Sequence, residues 1–335
     1  MVRSFAPVAV ALALLTVGQL LFRNAPFFVY ISSLVAVNVV LAVSLNIING
    51  MTGQFSIGHA GFMAVGAYAA GVFSIAMKDN RIGGEAMEPV SDQLFFFLAL
   101  LLGGGAAALC GFVVGLPSLR LKGDYLAIVT LGFGEIIRVA VQNTASLGGS
   151  LGLSGIPQRA TFFSAWFWVF IVILFARRLA GSPQGRALWA IREDEVAAEA
   201  MGVDTTGYKV RAFVVSSFFA GVAGALFAHF VPVINPGSFT FEKSMEVVVM
   251  IVAGGLGSTS GAVLAAVVLT LLPEAMRTAF VQFGGGDAGL AQKVDQIRKP
   301  IYGVLLVILM LVRPRGMFGT HEVWDLFKRR RSPAP

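Results

Sequence analysis

The chain has 335 residues, 56% of them hydrophobic and only 13% charged, and its mean hydropathy of +0.80 excludes an ordinary water-soluble domain. Its net charge of +7 comes from basic residues scattered between apolar segments. They lack the interleaved aromatics of a nucleic-acid surface, so no nucleic-acid partner is expected, and the charge is read as orientation in a lipid bilayer.

The expected fold is all-α, a polytopic integral membrane protein in which 1–335 forms a single transmembrane domain. About ten hydrophobic segments follow one another: 5–22, 27–49, 61–77, 94–116, 125–141, 162–176, 212–231, 244–253, 262–272 and 301–312. The first resembles a signal peptide but lacks an A-x-A cleavage site, and is taken as a retained span. The last three are short for a bilayer, so they are half-helices or have polar ends. Cys110, the single cysteine, lies in an apolar segment, which leaves no intrachain disulfide.

The stretch 50–71, GMTGQFSIGHAGFMAVGAYAAG, interrupts this hydrocarbon-like pattern with glycines, hydroxyls and a histidine. One reading is a broken helix: Gly53 ends the first half and Ser56 N-caps a second from Ile57. The N–H groups from Ile57 to His59 would then face the interior and meet a passing carboxylate. The other is a close-packing face of Gly58, Ala60 and Gly61, with His59 as a helix–helix hydrogen-bonding residue. The first reading makes Gly53, Ser56, Gly58, His59 and Ala60 candidates for the translocation path.

Between 180 and 209 lies the longest polar piece, GSPQGRALWAIREDEVAAEAMGVDTTGYK within its bounds. Ser182 and Pro183 are helix start signals, Gly202 suits the C′ position and Asp204 caps the next helix. Leu188, Trp189, Ile191 and Met201 supply apolar contacts on this charged helix. It fits either a docking element or a solvated connector.

With a cytoplasmic N-terminus and every segment crossing, most lysines and arginines fall on the cytoplasmic side, in the 177–211 piece and the 313–335 basic tail above all. That tail reads as a surface helix attracted to anionic lipid by about 1 kcal/mol per basic residue, or as a solvated end. Glu135 and Arg138 can face each other on one helix side. Glu246 and Glu274 sit near the ends of short segments, where a proton relay or a structural pairing would place them.

Enzyme chemistry is not expected. No G-x-x-x-x-G-K-[ST] occurs, and the glycine-rich 148–155 and 254–261 pieces follow no strand of a βαβ unit. His59, His229 and His321 lack metal-ligand spacing, and no Ser/His/Asp set can be named. No catalytic or metal residue and no cofactor is therefore assigned to this chain. A weak echo, G-x-x-G-x-x-S, joins 50–56 to 254–260.

The 50–71 stretch, LRLKGDYLAIVTLGFGEIIR at 119–138, 185–228, VVMIVAGGLGSTSGAVLAA at 248–266 and the closing RPRGMFG at 313–319 together resemble a LivM-type permease. Such chains are membrane subunits of ATP-binding-cassette importers for branched-chain amino acids. The resemblance implies a heterodimer with a LivH-type permease, two cytoplasmic ATPase subunits that bind ATP and Mg, and an extracytoplasmic amino-acid-binding protein. It implies a multi-pass protein of the bacterial inner (cytoplasmic) membrane with cytoplasmic termini. It also makes 180–209 the coupling segment, with Arg186, Arg192, Glu195, Glu199 and Gly202 facing the ATPase. AAEAMG at 197–202 is similar to the EAA-and-glycine loop of importer permeases, although the I-x-L-P continuation is absent. A urea or short-amide importer permease is an alternative, as is an ion-coupled secondary transporter using Glu135, Glu246 or Glu274.

Overall fold

An apolar run out of reach of water must satisfy its own backbone, and helices do so within each segment. The computed structural model describes residues 26–78, 88–118 and 125–283, together with Thr16, Gly303, Val304, Gly316, Met317, Gly319 and Glu322. In chain order the helices are α1 (Pro26–Asn46), α2 (His59–Ala76), α3 (Glu88–Ser118), α4 (Tyr125–Asn143) and α5 (Phe162–Ala180). Then follow α6 (Pro183–Glu193), α7 (Glu195–Ala200), α8 (Thr205–Ala228), α9 (Phe241–Gly254) and α10 (Thr259–Phe283).

Among the described residues six helices are long and apolar enough to cross a membrane: Phe27–Thr52, His59–Ala76, Asp92–Ser118, Tyr125–Asn143, Phe162–Ala180 and Thr205–Ala228. The expectation of about ten is thus met only in its coarser form, a multi-pass helical membrane protein. At 14 residues α9 is roughly 21 Å long, well short of a ~30 Å hydrocarbon core. The apolar part of α10 is Thr259–Ala275. The expected first and last spans lie outside the described residues, apart from Thr16, Gly303 and Val304.

The core is built where α2, α3 and α8 pack on one another. A Cβ on Gly66 would strike the Gly221 backbone, and one on Gly221 the Ala107 side chain, so hydrogen at these positions lets three helices approach at backbone distance. Phe62 and Phe213 fill the seam edge to face, with ring centroids 5.4 Å apart. By contrast, α4 is peripheral: 22% of its apolar window is buried, against 72% for α8.

The two ends of the bundle differ. At one, antiparallel strands β1 (Leu153–Ser154) and β2 (Val233–Ile234) pair Leu153 with Ile234. There the Tyr68 hydroxyl donates to the Ile234 carbonyl at 3.1 Å, and Ser74 Oγ lies 2.7 Å from His229 Nε2. At the other end sit the break after α1, the charged helices α6 and α7, and the turn between α9 and α10.

Candidate functional site

The break begins as a widening rather than a stop. After Asn46 the chain continues as a π-helical turn, Ile47–Thr52, every residue of it buried, and Gly53 closes it in the left-handed region at φ 70°. The expectation that Gly53 ends the first helix agrees with this. The Asn49 amide then bridges the gap, accepting from the Ser56 N–H at 3.2 Å and donating to the Ser56 carbonyl at 3.3 Å.

This clamp corrects the expected restart. Helix α2 begins at His59, with Gly58 in the cap position and no side-chain cap, not at Ile57 under a Ser56 cap. Asn49 holds the Ser56 backbone in the loop, while Ser56 Oγ is buried without a partner among the described residues. Of the N–H groups from Ile57 to His59 expected to face the interior, that of Ile57 donates to Thr130 Oγ1 at 3.1 Å, and the next one along, that of Ala60, donates to Ser244 Oγ at 3.0 Å. A Cβ on Gly58 would meet the Thr130 carbonyl, so α4 lies directly on the break. His59 Nε2 is 2.8 Å from Ser44 Oγ, a bond between α1 and α2. Of the five candidates, Ser56, Gly58, His59 and Ala60 are buried, and only Gly53 reaches the surface.

The polar piece starts as its sequence indicates. Ser182 accepts from the Gly185 N–H at 3.1 Å, with Pro183 in the first turn. Gly202 has φ 85°, just beyond the end of α7, and Asp204 caps α8 by accepting from the Gly207 N–H at 3.0 Å. It is two helices, however, not one. Asp194 leaves helical geometry at φ −156° and accepts from the N–H groups of Val196 at 2.9 Å and Ala197 at 3.0 Å, so its carboxylate starts α7 instead of continuing α6.

Arg192, at the end of α6, joins this piece to the break. Its Nη1 donates to the Gly50 carbonyl at 2.6 Å and to the Leu256 carbonyl at 3.5 Å, and its guanidinium lies 5.2 Å from the Trp189 ring centre. Trp189 in turn covers Gly257 so closely that a Cβ there would meet the indole. The Gly257 N–H donates to Asn46 Oδ1 at 2.9 Å. The two G-x-x-G-x-x-S turns, far apart in sequence, therefore meet under one arginine. From the C-terminal part of the chain, Glu322 accepts from the N–H groups of Thr259 at 2.7 Å and Ser260 at 3.0 Å, capping α10. The Met317 N–H donates to the Ala253 carbonyl at 2.9 Å.

The other candidates divide by exposure. Glu195 pairs at 2.6 Å with the buried Lys209, fastening α7 to α8. Arg186, Glu199 and Gly202 lie exposed, apart from the arginine node. Glu135 and Arg138 pair at 2.8 Å, as their spacing suggests. Sequence reasoning missed Asn46, Asn49 and Leu256; two asparagines three apart in a charge-free apolar run were the available signal.

The profile of a family described as the branched-chain amino acid transport system permease component matches residues 27–312. The chain belongs to this family. It is 35% identical over 322 residues to the high-affinity branched-chain amino acid transport system permease protein LivM of Salmonella typhimurium, covering 86% of this chain and 69% of that one. A probable LivM of Methanocaldococcus jannaschii is 28% identical over 313 residues, covering 83% and 89%. The permease protein LivH of Escherichia coli is 31% identical over 142 residues, 42% of each chain. The matched family region contains the break, the paired turns and Arg192.

Proposed function

We propose that this chain is a membrane permease subunit of an ATP-driven importer that carries branched-chain amino acids across the bacterial cytoplasmic membrane. Family membership and the LivM relatives support that cargo over urea or short amides, and an ATP-driven importer over an ion-coupled carrier. The partners are a LivH-type permease, two cytoplasmic ATPase subunits that hold ATP and Mg, and an extracytoplasmic amino-acid-binding protein. Both termini and the 180–209 segment lie on the cytoplasmic side.

The observation that carries the mechanism is the Arg192 node. The 180–209 piece seats in the ATPase through the exposed Arg186, Glu199 and Gly202, while Arg192 and Glu195 face the bundle. A displacement of α6 moves the guanidinium, and with it the Gly50 and Leu256 carbonyls, so both glycine turns shift together. In this reading Gly53, Ser56, Gly58, His59 and Ala60 are the moving wall of the translocation path, not an anion cradle. Net transport needs cargo affinity to differ between the two states, because equal affinity shifts no population.

Affinity purification of the chain from its native membranes tests the assignment. The expected result is co-purification of two further kinds of subunit, an ATPase and a second permease. Recovery of this chain free of any ATPase, from membranes that contain the whole complex, would contradict it.

A further inference from the structure

A cavity of about 220 Å³ lies between α1, α2, α8 and α9, apart from the Arg192 node. Part of its lining is apolar: Leu34, Val37, Met63 and Phe227. The rest of the lining is polar: Asn38, one helical turn from Leu34 on α1, with Ser238, Thr240, Glu242, Lys243 and Glu246. Asn38 is near the middle of the 26-residue span Phe27–Thr52, so the charges of Lys243 and Glu246 sit deep in the bundle. An ionised side chain at such depth costs about 2.5–3.5 kcal/mol on insertion scales, and its usual place is a polar path or a pair.

The polar lining is organised. The Asn38 amide donates to Thr270 Oγ1 at 2.9 Å, which turns its Oδ1 toward the cavity, where it accepts from Lys243 Nζ at 2.9 Å. The same ammonium donates to Glu246 Oε2 at 3.2 Å. An ammonium has three donors, and among the described residues two of these are used. The cavity thus offers a cation with a donor to spare, a carboxylate beside it, and apolar side chains in the same lining. Its volume is below the roughly 300 Å³ at which pockets for drug-sized ligands begin.

We propose that this cavity is a transit site for one zwitterionic α-amino acid with an apolar side chain. The cargo carboxylate meets the third donor of Lys243, its ammonium meets the Glu246 carboxylate, and its side chain lies against Leu34, Val37, Met63 and Phe227. The proposal rests on the importer reading and gives that importer its cargo contacts.

The test uses the full complex in vesicles, with radiolabelled leucine as the probe and a leucine-loaded binding protein as the stimulus. The double variant Lys243→Met/Glu246→Met replaces the pair by apolar groups of similar length, a change that is often neutral or stabilising for a pair with a purely structural role. The variant Leu34→Phe fills the cavity and leaves the charges in place. In each assembled variant, ATP-dependent leucine uptake is expected to fall roughly tenfold or more while stimulated ATP hydrolysis stays within about twofold of the unmodified complex. Uptake within about twofold of the unmodified complex, in either assembled variant, overturns the transit site and leaves the importer reading intact. If the double variant does not assemble, Leu34→Phe decides alone. An unmodified complex without ATP-dependent leucine uptake overturns the importer reading itself, and this proposal with it.

Discussion

Arg192 directs its guanidinium at main-chain carbonyls of two turns, so its loss frees both at once. Hydrogen bonds from a charged donor contribute about 1.5–3 kcal/mol, and Arg192→Met is expected to lower the unfolding midpoint of the purified complex and to abolish cargo-stimulated ATP hydrolysis. Full stimulation in that variant would separate the node from coupling. Asn49 makes a different kind of test, because its amide both donates to and accepts from Ser56. Asn49→Ala leaves two buried backbone groups unpaired, at about 1–3 kcal/mol for each. Asn49→Asp keeps an acceptor for the Ser56 N–H but sets a buried charge against the Ser56 carbonyl. Thermal denaturation should therefore rank Asp as more damaging than Ala; the reverse order would mean that the donor half of the clamp contributes little.

At the scale of elements, the α7–α8 fastening is separable from coupling. Glu195→Ala leaves Lys209 buried and unpaired, a loss of roughly 3–5 kcal/mol, whereas adding Lys209→Met should recover most of it. Denaturation of the single and double variants checks this, and equal losses would show that the pair contributes no specific contact. On the exposed side, charge reversal at Glu199, or Gly202→Arg, is expected to abolish stimulated ATPase activity with the permease still inserted. Normal stimulation in both would remove that face from the ATPase interface. What was legible here follows from the range of the chemistry. Ser182, Gly202 and Asp204 act on N–H groups or dihedral angles within a few residues, and their roles could be read from neighbours. The start of α2 could not. Ser56 looks like a cap locally, but Asn49 and Thr130, from an earlier turn and another helix, take the backbone groups a cap would organise. The division at Asp194 lay between these cases, since a run rich in Ala, Glu and Arg reads as continuous helix unless the Asp is recognised as a new start.

Over the whole molecule, hydropathy gave the class and the resemblance of five sequence blocks to LivM-type permeases gave the family, while the number of crossings exceeded what periodicity alone could support. Short apolar runs such as 244–253 are shared by spanning and partial helices, and length decides between them: α9 is one of the latter. The meeting of the 50–56 and 254–260 turns was visible only as an echo of small residues. Their contact depends on how α1 and α9 are placed in three dimensions, with Arg192 brought in between from a third part of the chain. That arrangement connects a charged surface at one end of the bundle to the break after α1, the link on which the proposed importer mechanism depends. Leucine uptake into vesicles that carry this chain, with and without its partner permease, the ATPase subunits, the binding protein and ATP, tests the account most directly. Uptake that appears only when all of them are present is the predicted result, and ATP-independent uptake by this chain alone would contradict it.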